Sequence, residues 1–134
     1  MIHNMPTRAV RLIAPLSLGL AMSMAFAMPV FAHVHVVATA PAKSEAVAAS
    51  PTEVVVSFSD KVQPQLSRIS VIDSTGASVD ANDTAIVAGD ATRLAVSLRA
   101  LPPGTYTVSY AVTCIYNHKI NGKYTFDVGG EAKR

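Results

Sequence analysis

From residue 33 onward, short runs of β-branched and aromatic residues alternate with turn-forming residues, and no run keeps an apolar position on a helical period. A chain patterned in this way can bury itself only by pairing strands and stacking the resulting sheets. Glu53-Val54-Val55-Val56-Ser57-Phe58 reads as a strongly apolar strand. Arg68 to Asp73 alternates with period two and ends at the turn Ser74-Thr75-Gly76. Shorter candidates at Ala77–Asp80 and Thr84–Ala88 precede a turn at Gly89-Asp90. Arg93–Leu98 alternates clearly, Pro102-Pro103-Gly104 turns the chain into Thr105–Thr113, and Lys123–Val128 closes the series. His33–Ala38 also alternates, and Pro41 to Pro51 reads as a loop rich in Ala and Ser. Seven to eight short strands spaced by Gly, Pro and Asp predict an all-β antiparallel sandwich. Residues 129–134 are expected to be a flexible tail.

The first 32 residues have a different character. Arg8 and Arg11 precede an uncharged apolar run, residues 12–27, and Val30-Phe31-Ala32 places small residues where signal peptidase prefers them. The run is shorter than the roughly 20 residues of a spanning helix and is flanked by Pro15 and Pro29. Residues 1–32 are therefore expected to be a cleavable signal peptide, with the membrane met only during export and the periplasm as destination. Removing them leaves 102 residues, His33 to Arg134, enough for one two-layer domain.

Charge and cysteine content narrow the function classes. The eleven Lys and Arg include Arg8 and Arg11, so the remaining nine are balanced by nine Asp and Glu, and nothing suggests a nucleic-acid surface. Cys114 is the only cysteine, so no internal disulfide is available and the fold must stand on packing. A buried apolar position is the usual place for such a residue. No Gly-rich phosphate loop follows a strand, and neither Ser-His-Asp nor Cys-His chemistry is supported by the residues near His118. No catalytic residue is expected.

The residues that suggest chemistry are histidines. Cleavage after Ala32 would make His33 the first residue, and an N-terminal histidine offers its α-amino nitrogen and its ring to one metal ion. His35 follows two positions on, on the same face if the segment is extended. His118 lies between the last two strong strands, in Tyr116-Asn117-His118-Lys119-Ile120-Asn121-Gly122. Amine and imidazole nitrogens suit Cu(II) best among common divalent ions, with zinc next. A local alternative uses the amine, main-chain amides and the ring of His35 as a square-planar chelate. It requires the amides of Val34 and His35 to be free of a sheet. All five methionines (Met1, Met5, Met22, Met24 and Met28) precede residue 33, so residues 33–134 offer no thioether for Cu(I).

The chain from His33 to Val128 resembles the CopC family of periplasmic copper-binding proteins. The resemblance is carried by His33 and then Thr39-Ala40-Pro41-Ala42, Ala46-Val47, Ser50-Pro51, Val54 through Phe58-Ser59, and Lys61-Val62. It continues through Ser70-Val71, Asp73, Gly76, Leu101-Pro102-Pro103-Gly104-Thr105-Tyr106-Thr107-Val108, and His118 through Gly122-Lys123-Tyr124-Thr125-Phe126. It implies an immunoglobulin-like Greek-key β-sandwich over residues 33–128 that binds Cu(II) in copper homeostasis or resistance, as carrier or buffer. It also implies metal ligands at His33 and His118, with His35 as a further ligand in some members, and an inner-membrane copper transport protein as partner. The family's Asp-x-His places its aspartate where this chain has Tyr116. In an extended segment Cys114, Tyr116 and His118 would share a face, which would bring Tyr116 toward the metal. Two other readings compete. One is a structural sandwich module in which metal plays no part. The other is a copper oxidase of the histidine-brace kind, for which 102 residues leave little room for substrate loops.

Overall fold

Residues 33–129, together with Gly19, are described by the computed structural model; the rest of the expected signal peptide and residues 130–134 of the expected tail lie outside the described residues. Eight strands follow in order: β1 (Val36–Ala40), β2 (Ala46–Val47), β3 (Glu53–Phe58), β4 (Arg68–Ile72), β5 (Ala85–Val87), β6 (Asp90–Ser97), β7 (Gly104–Thr113) and β8 (Lys119–Val128). A 3-10 turn, Pro64–Leu66, leads into β4. The strands form two four-stranded sheets, ordered β1-β3-β6-β5 and β2-β8-β7-β4. This is the strand arrangement of an immunoglobulin-like Greek-key sandwich, in which the chain passes repeatedly between the two sheets. All pairings are antiparallel except β2 with β8.

The alternation seen in the sequence becomes the core. Val54, Val56 and Phe58 of β3 and Leu94 and Val96 of β6 face Ile69, Val71, Val108, Val112 and Phe126 of the other sheet, all buried. Tyr106 stacks on Phe126 with ring centroids 5.7 Å apart. The Tyr106 hydroxyl donates to the Pro102 carbonyl, pinning the corner where β7 begins, a device common in this architecture.

Several expected element boundaries are corrected. The first strand begins at Val36, not His33, and runs on to Ala40. Its pairing with β3 is irregular between Val36 and Ala38, and upstream the contact passes to Ser59, which holds His35 from both sides of its backbone. Within the expected loop Pro41–Pro51, Ala46–Val47 forms β2, because the backbone of residues 44–47 exchanges hydrogen bonds with Thr125, Asp127 and Gly129. Gly129, expected in the tail, donates to the Val47 carbonyl at 2.8 Å. Residues 77–80 make only isolated bridges, Ser78 with Ile72 and Asp80 with Leu98.

The last strand starts four residues earlier than its sequence suggests, at Lys119. Gly122 reads as a turn residue yet sits mid-strand opposite Tyr110. A side chain at 122 would overlap the Tyr110 ring, so the ring fills the space that glycine leaves open.

Two buried tyrosines give opposite expectations. Tyr106→Phe loses a satisfied hydrogen bond and lowers stability by about 1 kcal/mol. The Tyr124 hydroxyl is buried beside Thr39 without a well-formed hydrogen bond, so Tyr124→Phe is neutral or stabilising in urea denaturation at neutral pH. Burial pushes the Tyr124 phenol up from 10.0 to about 12. The unfolded chain releases this proton first, so its contribution to stability is intact below pH 10.0 and lost as pH rises to about 12. Tyr124→Phe removes that part of the alkaline loss, measurable as melting temperature against pH.

Candidate metal centre

His33 and His118 are brought to one place by separate devices. On the N-terminal side, Val34 is buried in the core cluster at 5% exposure, while His33 and His35 on either side of it are exposed. The His35 amide donates to the Ser59 hydroxyl at 3.0 Å, and the Ser59 amide donates to the His35 carbonyl at 2.9 Å. One apolar anchor and one polar clamp thus fix the segment that carries His33.

On the other side, β7 and β8 pair continuously from Gly104 opposite Val128 to Thr113 opposite Lys119. That register leaves Cys114 to His118 as the connecting turn. The Asn117 amide donates to the Cys114 carbonyl at 2.9 Å, and the Cys114 amide donates to the His118 carbonyl at 2.9 Å. Asn117 sits at φ 62°, the left-handed region that asparagine tolerates better than most residues. The turn rests on the segment before the 3-10 turn: Val62 bridges Cys114, and the Ile115 amide donates to the Lys61 carbonyl.

The outcome is that the rings of His33 and His118 lie 5.8 Å apart between centroids, tilted by 53°. Two imidazoles on one ion, with metal–nitrogen bonds of about 2.0 Å, have centroids separated by on the order of 4.5 Å at a right angle and 6.3 Å when opposed. The observed spacing falls inside that range.

The other expected residues are placed differently. The His35 ring is exposed, with Nδ1 3.4 Å from the His33 carbonyl oxygen. Among the described residues, no three His, Cys, Asp or Glu side chains converge. The shared face expected for Cys114, Tyr116 and His118 does not form, because the segment is a turn rather than a strand. Cys114 is buried in the core at 3% exposure, whereas Tyr116 and His118 are exposed.

Sequence reasoning missed Gln63 and Ser59. Nothing in their local sequence marks them, since their partners are tens of residues away. Asn117 was legible in principle, because asparagine is a turn signal.

Residues 36–129 match the family described as the CopC domain. The chain belongs to the CopC family. Among solved structures, CopC from Methylosinus trichosporium OB3b is similar at 32% identity and a TM-score of 0.69, covering 76% of this chain and 99% of that one. PcoC, a methionine-rich copper resistance protein from Escherichia coli, is similar at 28% identity and a TM-score of 0.63, covering 72% of this chain and 99% of that one. A search of curated proteins finds no match. The methionine richness of PcoC is not shared over residues 36–129 of this CopC-family chain, which contain no methionine.

The turn geometry makes its own prediction. Asn117→Gly keeps the left-handed conformation, whereas Asn117→Val forces a β-branched residue into it and costs about 1–2 kcal/mol. Chemical denaturation of both variants checks this.

Proposed function

We propose that the exported protein, cleaved after Ala32, is a periplasmic Cu(II)-binding protein that acts as a carrier or buffer in copper homeostasis or resistance. The observation that carries this reading is the approach of the His33 and His118 rings to 5.8 Å at the start of the described domain. Membership of the CopC family and likeness to a copper resistance protein support copper as the ion. Once His33 is N-terminal, its amine joins two imidazoles as neutral nitrogen donors, a set that favours Cu(II) over harder ions. His35, exposed two residues on, is the candidate for a further nitrogen ligand. Copper here is cargo. An inner-membrane copper transport protein is the partner that such a carrier would serve, and no catalytic role is proposed.

The local chelate through His33-Val34-His35 remains the specific competitor, because these residues precede β1. It would require the His35 amide to leave the Ser59 hydroxyl and be ionised on the metal, with Val34 drawn from the core. That cost favours the folded site.

Metal that binds only the folded state stabilises it by mass action. For the mature protein, His118→Ala should weaken Cu(II) affinity at least about tenfold, as loss of 1.4 kcal/mol or more of ligand interaction would, and should shrink the copper-induced rise in melting temperature. Unchanged affinity and an unchanged electron paramagnetic resonance (EPR) spectrum in this variant would rule the folded site out. Because nitrogen ligands must shed protons to bind, affinity should also fall as pH is lowered from 7 toward 5. Intact mass of the periplasmic protein should correspond to His33–Arg134, and any other start removes the amine ligand.

A further inference from the structure

Gln63 stands at the junction of everything that holds the His118 turn in place. Its backbone amide donates to the Thr113 carbonyl at 2.8 Å. Its side-chain amide donates twice into the turn itself, to the Cys114 carbonyl at 2.8 Å and to the Asn117 side-chain oxygen at 2.9 Å. The two acceptors flank the loop: Cys114 closes the turn at its start, and Asn117 is the residue immediately before His118. Gln63 cannot easily move away, because its carbonyl accepts from the Ser67 hydroxyl at 2.6 Å and from the Leu66 amide at 3.1 Å. The Ser67 hydroxyl in turn accepts the Thr113 amide, and the Thr113 hydroxyl donates to the Leu66 carbonyl. The 3-10 turn is thus a bracket, and the Gln63 side chain is its arm.

We infer that Gln63 is a positioning residue for the metal site, holding the His118 turn at the distance from His33 that a single ion requires. This rests on the proposed folded site at His33 and His118. The physical reason is preorganisation. The His118 ring is exposed and meets the His33 ring, and its backbone position is inherited from the turn. In this turn Asn117 holds a left-handed conformation, and an external donor ties both of its ends. Gln63 supplies that donor with one planar amide. Removing it leaves the Cys114 carbonyl with the Asn117 amide and takes away the donor to the Asn117 side-chain oxygen. Outer partners that orient ligands commonly change metal affinity by 10–100-fold.

Three variants of the mature protein test this: Gln63→Ala, Asn117→Gly and the double variant, with His118→Ala alongside. Asn117→Gly deletes the acceptor while keeping the backbone conformation, so it remains informative if Gln63→Ala folds poorly. Cu(II) affinity is read by competition titration, the copper environment by EPR, and apo stability by thermal melting. Gln63→Ala should weaken Cu(II) binding about tenfold or more and broaden or shift the nitrogen hyperfine pattern. Asn117→Gly should produce a smaller loss in the same direction, with little change in apo melting temperature. The double variant should lose less than the product of the two single losses, because both act through one contact. Unchanged affinity and spectrum in Gln63→Ala and Asn117→Gly, with His118→Ala still weakening binding, would overturn the role of Gln63 and leave the folded site standing. If His118→Ala itself has no effect, the folded site fails and the inference fails with it.

Discussion

The β7–β8 hairpin fixes where residue 118 falls. Its ten opposed pairs, from Gly104 with Val128 to Thr113 with Lys119, set the connecting turn at Cys114–His118. The register is held by burial: Tyr106, Val108 and Val112 of β7 face the core with Tyr124, Phe126 and Val128 of β8. A slip of one residue would turn these side chains out to solvent and the polar ones in, a change worth many kcal/mol. The place of His118 at the end of the hairpin is therefore specified by apolar side chains that lie along its whole length, and not by any interaction between the histidines themselves.

The opposite partner is placed by a weaker arrangement. His33 has no strand to hold it, and β1 begins only at Val36. What fixes it is Val34 in the core and the two hydrogen bonds between His35 and Ser59. Ser59 directly follows β3, and Lys61, Val62 and Gln63 just beyond it carry the His118 turn. The short segment from Ser59 to Gln63 thus touches both histidine-bearing pieces. Exposed histidines on a hydrogen-bonded base would suit the proposed carrier, which has to accept and release an ion. The rings are reachable from solvent, and under that proposal the backbones that carry them would not have to be reorganised when metal binds.

Much of the fold was legible because its strands are amphipathic or wholly apolar: β3 matches its sequence span, and β4, β6 and β7 differ by a few residues at their ends. The errors fall where tertiary contacts override local signals. Lys119-Ile120-Asn121-Gly122 has the composition of a connection, yet it is strand because Tyr110 covers Gly122. Ala46–Val47 has no strand signature and is recruited by β8. At the candidate site, the histidines stand out in the sequence, since few lie from residue 33 onward and their chemistry is distinctive. Their proximity could not, because it depends on a hairpin register and on an anchor at Val34. The bracket at Gln63 was invisible, as its partners Thr113, Cys114 and Asn117 are distant in sequence.

The central claim is that copper is held between the mature N-terminus and the β7–β8 turn. Paramagnetic broadening by substoichiometric Cu(II), followed residue by residue in amide spectra of the 33–134 protein, tests it without any substitution. The folded site predicts that signals of Cys114–Lys119 and those of residues 34–36 disappear together, at the same copper concentration and without unfolding of β1. Broadening confined to the first few residues, with the 114–119 signals intact, would contradict the account and assign copper to the local chelate.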